Sequence, residues 1–179
     1  MTAHRQLIVM RHAKAGELPG GPDVERALRP RGCRNASAAG QWLAARDLVP
    51  DLVLCSSARR ARQTWQYVGA ELNSEPEVIN DPRLYEADAE DLLGIFGETR
   101  SSVRSLMYVG HNPAAAEVTE ILTGGPVDFP TAAIAIIGVG ADWAALPGDS
   151  SGSGRLVAAW RPERSRGDEP PPSPPEPES

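Results

Sequence analysis

"LIVMRHAKAG", residues 7–16, places four apolar residues directly before an arginine and a histidine. An unbroken apolar run of this kind is typical of a strand in the middle of a parallel sheet, because such strands are buried on both faces. Ligands of open α/β sheets bind just beyond the carboxyl ends of the strands. Arg11 and His12 therefore lie where a binding site is expected, although a polar sheet edge would look the same in one short stretch.

The same arrangement occurs twice more along the chain. Residues 50–57, "PDLVLCSS", predict a second buried strand that ends in two serines, and a helical pattern with three arginines follows at 58–72. Residues 105–110, "SLMYVG", predict another strand, which ends directly before His111 and Asn112. Because the carboxyl ends of parallel strands meet at one edge of a sheet, we expect these polar groups to converge with those after the first strand.

Helical patterns alternate with the predicted strands. They cover residues 31–46, 58–72, 90–96 and 113–122. A short extended segment is predicted at 76–81, and two further strands are predicted at 133–139 and 155–160. Alternation of this kind predicts a three-layer α/β/α domain with a mostly parallel central sheet. We expect one such domain over residues 1–164. Residues 165–179 contain only proline, glycine, serine and charged residues, so we expect a disordered tail there.

Composition narrows the class of protein. The chain has 18 basic and 24 acidic residues, and this net charge of −6 argues against a general nucleic-acid-binding protein. Cys33 and Cys55 are far apart and form neither a disulfide framework nor a zinc motif. No apolar stretch is long enough to cross a bilayer, and the first residues do not resemble a signal peptide. We expect a monomeric, cytoplasmic protein that binds neither nucleic acid nor membranes.

The residue types at the predicted sheet edge favour a phosphoryl ligand. Guanidinium groups match phosphate oxygens in geometry and charge, and Arg11 and at least one of Arg59, Arg60 and Arg62 are available. Cations crowded around an imidazole disfavour its protonation, which leaves His12 neutral near pH 7. The same cations could therefore bind a phosphoryl group and keep a histidine nucleophile active.

Three motifs carry a resemblance to a known family. "MRHA" after the first strand, "CSSARRARQT" after the second and "VGHNP" after a later one resemble the histidine phosphatase superfamily, and the compact arrangement is similar to its SixA-type phosphohistidine phosphatases. The resemblance implies a phosphoglycerate-mutase-like fold, with no metal and no cofactor. It also implies roles for four residues: His12 is the phosphorylated nucleophile, and Arg11, Arg60 and His111 bind the phosphoryl group.

The resemblance leaves the general acid open. "LYEAD" places Glu86 where many relatives carry a proton donor, and Asp88 is a neighbouring candidate. A phosphohistidine substrate needs less help, because imidazole is a better leaving group than an alkoxide. Asp23 and Arg26 fit a SixA-like pattern, and we expect them to form an ion pair that orders their loop.

Two classes of function remain from the sequence. The first is a phosphatase that acts on phosphohistidine of a signalling protein or on a small phosphomonoester. The second is a non-catalytic module that binds phosphorylated partners, and a mutase is a less favoured third option. Residues 67–110 leave little chain for a lid over the site, which favours a phosphorylated protein as the substrate.

Overall fold

Six strands form one mixed sheet in the computed structural model of the chain, which describes residues 4–164. The strands are β1 (Arg5–Arg11), β2 (Leu52–Ser56), β3 (Glu77–Asp81), β4 (Ser105–Gly110), β5 (Ile134–Val139) and β6 (Gly154–Trp160). Their order across the sheet is β3-β2-β4-β1-β5-β6. The pairs among β1 to β4 are parallel, whereas β5 is antiparallel to β1 and to β6. The predicted mostly parallel sheet is confirmed.

Four helices cover the two faces of the sheet. They are α1 (Pro30–Ala44), α2 (Arg59–Ala70), α3 (Ala89–Gly97) and α4 (Ala114–Thr123). Ile8 and Met10 belong to the core beneath α1 and α2, whereas Leu7 and Val9 belong to the core beneath α3 and α4. The predicted three-layer α/β/α arrangement is therefore confirmed.

β1 lies in the interior of the sheet, hydrogen-bonded to β4 on one side and to β5 on the other. All four side chains from Leu7 to Met10 are fully buried, as expected for an apolar run covered on both faces. The carboxyl ends of β1, β2 and β4 consequently lie at one edge of the sheet. Their continuations begin at His12, Ser57 and His111.

The direction of β5 is explained by the chain that precedes it. α4 ends at Thr123 and is capped by Gly124, which has the left-handed conformation (φ 77°) common at helix ends. Residues 125–133 then return to the carboxyl edge of β1, where Ile134 pairs with Met10. β5 therefore starts at the edge where β1 ends, and it runs in the opposite direction.

Three further expectations concern the tail, membrane spans and the two cysteines. The predicted disordered tail, residues 165–179, lies outside the described residues. No helix within residues 4–164 combines the length and apolar composition needed to span a membrane. Cys33 and Cys55 are both free thiols.

Candidate active site

Arg11, His12, Arg60 and His111 come together at the carboxyl edge of the sheet. The rings of His12 and His111 are 5.2 Å apart between centroids, although about a hundred residues separate them in the sequence. The Arg60 Nε donates to His12 Nε2 over 3.3 Å. His12 follows β1, Arg60 lies in the first turn of α2, and His111 follows β4. The expected convergence of the three strand ends is thus present in the structure.

The hydrogen bonds of His12 define which ring nitrogen carries the proton. Its Nδ1 is 2.8 Å from the carbonyl oxygen of Ala13, which can only accept, so Nδ1 is protonated. Nε2 accepts from Arg60 and carries the free electron pair. Burial lowers the pKa of His12 to about 3, and the charges of His111, Arg60 and Arg11 act in the same direction. At neutral pH, His12 is an uncharged imidazole with its basic nitrogen in the site.

The backbone around His12 is fastened to three parts of the structure. The His12 N–H donates to Gly110 O at 2.9 Å, and the His12 carbonyl accepts from Ala132 N at 3.1 Å. The next amide, that of Ala13, donates to Thr64 Oγ1 at 2.9 Å. The segment after β1 is therefore held by β4, by the chain before β5 and by α2.

Arg60 is the buried member of the three arginines at the start of α2. Its exposed fraction is 7 %, whereas Arg59 and Arg62 are exposed. Its two terminal nitrogens both bind Asp23: Nη1 donates to the backbone carbonyl at 2.9 Å and Nη2 to Oδ2 at 3.0 Å. The guanidinium is therefore oriented with its Nε toward His12.

Arg11 is held from the opposite side by the chain that precedes β5. Its Nη1 donates to the carbonyl oxygen of Phe129 at 3.2 Å, and Asn112 Nδ2 donates to the same oxygen at 2.8 Å. Burial lowers the pKa of Arg11 from its ordinary value. The return of residues 125–133 to this edge thus supplies the acceptor that orients Arg11.

His111 is oriented by a fully buried serine. Its Nε2 lies 2.8 Å from Ser56 Oγ, and that oxygen also accepts from Ala58 N at 3.3 Å. The serine hydroxyl has one hydrogen to donate and a second lone pair to accept, so this contact orients the ring; when Ser56 donates to Nε2, the ring proton lies on Nδ1. Burial, followed by the charge of Arg60, lowers the pKa of His111 to about 4. His111 is therefore a neutral ring at pH 7, and in that tautomer its Nδ1 is a donor.

Two buried nitrogens of this cluster lack hydrogen-bond partners within residues 4–164. They are Arg11 Nε and His111 Nδ1. Leaving a buried donor unpaired costs about 1–3 kcal/mol, and more for a charged group. An anion with several oxygens offers acceptors to Arg11 Nε, to His111 Nδ1 in the tautomer that carries its proton there, and to the Arg60 guanidinium. The arrangement is chemically suited to a phosphoryl group in front of His12 Nε2.

The two candidate general acids occupy different environments. Glu86 is exposed and makes no hydrogen bond or ion pair with any other described residue. Asp88 caps α3, and its carboxylate accepts from the backbone N–H of Asp91 at 2.8 Å. The side chain that reaches the histidines from this segment is Tyr85, whose ring contacts His111 edge-on at 5.7 Å between centroids. The structure therefore does not bring either carboxylate into the hydrogen-bonded cluster.

Four side chains without a predicted role in the site support it. They are Ser56, which was expected only among the polar groups at this edge, and Asp23, Thr64 and Tyr85. The predicted ion pair between Arg26 and Asp23 is present at 2.9 Å, but Asp23 also binds Arg60. Their sequence signals are weak, because each depends on where a loop or helix turn lies in three dimensions. Within residues 4–164, no group of three or more His, Cys, Asp or Glu side chains is placed to hold a metal ion.

Comparison with known proteins agrees with this geometry. Residues 7–117 match the model of the histidine phosphatase superfamily, branch 1. The phosphohistidine phosphatase SixA of Escherichia coli strain K12 is 31 % identical over 138 residues, which cover 74 % of this chain and 84 % of the relative.

Solved structures give the same result. A protein from Nakamurella multipartitia, assigned as a phosphohistidine phosphatase SixA, superimposes with a TM-score of 0.77 at 28 % identity, over 89 % of this chain and 96 % of the other. The protein histidine phosphatase SixA in complex with tungstate gives a TM-score of 0.72 at 28 % identity, over 86 % and 95 % of the two chains. The fold, the cluster of two histidines and two arginines, and these similarities together show that the chain belongs to branch 1 of the histidine phosphatase superfamily.

Proposed function

We propose that this protein is a phosphatase with His12 as its nucleophile, and that its substrate is phosphohistidine on a signalling protein. The observation that carries the proposal is the state of His12: an uncharged ring with Nε2 unprotonated, in one cluster with Arg60 and His111. The nucleophile thus lies in one cluster with side chains suited to bind a phosphoryl group: Arg60 contacts His12 Nε2, and the His111 ring is 5.2 Å from that of His12 between centroids. A module that only binds phosphorylated partners would not need the nucleophile.

In the proposed first step, His12 Nε2 attacks phosphorus and the bond from phosphorus to the leaving group breaks. Nε2 must first lose its hydrogen bond from Arg60 Nε, which then donates to a phosphoryl oxygen. Arg11 and His111 donate to the remaining oxygens, where negative charge is stabilised in the transition state. In the second step, water attacks the phosphohistidine, the bond from phosphorus to Nε2 breaks, and inorganic phosphate leaves.

The surroundings of Glu86 support phosphohistidine over a phosphoester. An alkoxide leaving group requires a proton from a positioned acid, whereas a protonated phosphohistidine ring leaves as neutral imidazole. Glu86 is exposed and Asp88 is engaged in capping α3. Glu86 is therefore retained as the candidate acid for the alternative, a small-molecule phosphomonoesterase of the same superfamily.

The chain between α2 and β4 supports a bulky substrate. Residues 71–104 form β3, α3, a short 3-10 helix (Pro82–Leu84) and the connections between them. α3 packs into the core through Leu92 and Phe96, so it is not available to close over the site. A site of this kind makes few contacts to a small ester beyond its phosphoryl group, but it leaves room for a protein surface. The relatives named SixA are consistent with this substrate class.

Kinetics and trapping of the intermediate test the proposal. The purified chain is assayed side by side on a phosphohistidine protein and on a panel of phosphoglycerates and sugar phosphates. In a second experiment the reaction with a radiolabelled phosphoryl substrate is stopped without acid, which would hydrolyse phosphohistidine, and the labelled residue is identified. We expect higher kcat/KM on the phosphohistidine protein and label on His12. His12→Ala should abolish both turnover and label while the thermal unfolding midpoint remains that of a folded protein.

Other outcomes separate the alternatives. A clear preference for one small phosphoester, with a micromolar KM, would replace the protein substrate but keep the His12 chemistry. Label on another residue, or near wild-type turnover by His12→Ala, would refute the nucleophile. Tight binding of the phosphohistidine protein without turnover would identify a binding module.

A further inference from the structure

Asp23 binds three side chains: Arg60 of the site, Tyr85 beside His111, and Arg26 of its own loop. It lies in the loop between β1 and α1, where it begins a short 3-10 helix (Asp23–Glu25). Its carbonyl and its carboxylate Oδ2 take one hydrogen bond each from the two terminal nitrogens of Arg60, at 2.9 and 3.0 Å. A guanidinium bound at both ends by one residue cannot rotate about its long axis without breaking both bonds. Asp23 therefore determines which edge of Arg60 faces His12.

Tyr85, which lies between β3 and α3, binds the same carboxylate. Its hydroxyl donates to Asp23 Oδ2 at 2.6 Å, and its ring lies against His111 and Arg60, with 5.9 Å from the Arg60 Cζ to the ring centroid. Hydrogen bonds from Tyr85, Arg26 and Arg60, in that order, lower the pKa of Asp23 well below its usual range. Asp23 thus remains a carboxylate throughout the neutral and mildly acidic range.

The two carboxylate oxygens of Asp23 have separate partners. Oδ1 accepts from Arg26 at 2.9 Å, whereas Oδ2 accepts from Arg60 and Tyr85. Arg26 also donates through Nε to Gly16 O at 2.8 Å, which links the early and the late part of the loop. The loop-ordering contact and the contact with Arg60 can therefore be removed independently.

We propose that Asp23 is a positioning residue for the phosphatase reaction, because it holds Arg60 so that the Arg60 Nε is directed to the reacting phosphoryl group. Each terminal nitrogen of Arg60 uses one hydrogen for Asp23 and keeps a second one for other acceptors. This inference rests on the proposed function. A displacement of about 1 Å in a catalytic contact can cost about 100-fold in rate. Asp23→Ala should therefore lower kcat/KM by about 10-fold to 100-fold, mainly through kcat, although Arg60 is still present.

A double-mutant cycle separates positioning of Arg60 from a structural role. Asp23→Ala, Arg60→Ala and the combined variant are compared in kcat/KM, with Asp23→Asn as the variant that keeps the size of the side chain. If Asp23 acts through Arg60, Asp23→Ala costs less than about 2-fold in the Arg60→Ala background, because coupled residues are not additive. Arg26→Ala is the matched control, since it removes the other partner of the carboxylate, and we expect it to stay within about 3-fold of wild type. Thermal unfolding midpoints establish that each variant is folded.

The outcomes are distinct. Losses that multiply in the combined variant, or an Arg26→Ala loss equal to that of Asp23→Ala, would overturn the positioning role. If the wild-type chain hydrolyses neither phosphohistidine nor small phosphoesters, the proposed function fails. The same cycle is then measured on the dissociation constant of inorganic phosphate by calorimetry, where non-additive losses support the coupling of Asp23 to Arg60 and additive losses refute it.

Discussion

Lowering the pH from 8 to 5 should destabilise the folded chain, because two buried histidines remain neutral in it. The pKa of His12 is lowered to about 3 and that of His111 to about 4, from an ordinary value of 6.5. Below pH 6.5 the unfolded chain binds a proton on each ring, whereas the folded chain does not. Stability is therefore unaffected above this value and falls as the pH decreases from 6.5 toward the folded pKa values.

The size of the effect follows from these values. One pH unit within this range is equivalent to about 1.4 kcal/mol per group. At pH 5, which is about 1.5 units below the unfolded value, each histidine costs about 2 kcal/mol, or ~4 kcal/mol for His12 and His111 together. Carboxylates whose pKa is lowered in the folded chain, such as Asp81, lose their contribution only at still lower pH. The window from pH 8 to pH 5 therefore isolates the histidines.

Urea unfolding at the two pH values measures this effect. The wild-type free energy of unfolding should fall by about 4 kcal/mol between pH 8 and pH 5. In the variant His12→Asn/His111→Asn this fall should be smaller by about 4 kcal/mol, because neither titrating ring is present. The double variant is the control for every other titrating group. Equal pH dependence of wild type and variant would show that the two rings are not held neutral, and it would refute the assignment of an unprotonated nucleophile.

Three further predictions concern the site and the tail. Arg60→Ala should lower kcat by about 100-fold or more, as loss of a transition-state donor does. Arg59→Ala, a change at an exposed position of the same helix turn, should leave kcat near that of the wild type. Equal losses in the two variants would show that the assignment of Arg60 as the phosphate-binding arginine is wrong. Addition of EDTA should leave the rate unchanged, and inhibition reversed by a divalent cation would contradict metal-free chemistry. Removal of residues 165–179, which contain no aliphatic or aromatic side chain other than proline, should leave the thermal midpoint and the turnover of small substrates unchanged; a shift of several degrees would show that the segment packs on the domain.

Most elements of the fold could be predicted because they have strong local patterns; β3, with four of its five residues exposed, has only a weak one. β1 and β4 carry unbroken apolar runs, and the helices have apolar residues at helical spacing, so burial on one or two faces is encoded directly. The direction of β5 had no such signal. An apolar strand looks the same when it runs either way, and its direction depends on the path of residues 125–133 after α4.

The candidate site could be predicted only in part, for a related reason. His12, Arg60 and His111 follow strand ends, and topology alone brings strand ends to one edge. The contact of Asp23 with Arg60 and that of Ser56 with His111 require a loop path and a helix position accurate to about 1 Å, which no periodicity or spacing specifies. The local pattern links Asp23 only with its neighbour Arg26, whereas its partners Arg60 and Tyr85 lie 37 and 62 positions away.

The first two turns of α2 serve as a common anchor for otherwise separate parts of the site. Arg60 holds Asp23, Gln63 Oε1 accepts from Leu28 N at 2.8 Å, and Thr64 accepts from the amide that follows His12. A substitution that tilts these turns would therefore change the nucleophile, the phosphate-binding arginine and the loop before α1 together. Changes in substrate choice during evolution should accumulate in the loops, where one contact can change at a time, while these turns stay fixed.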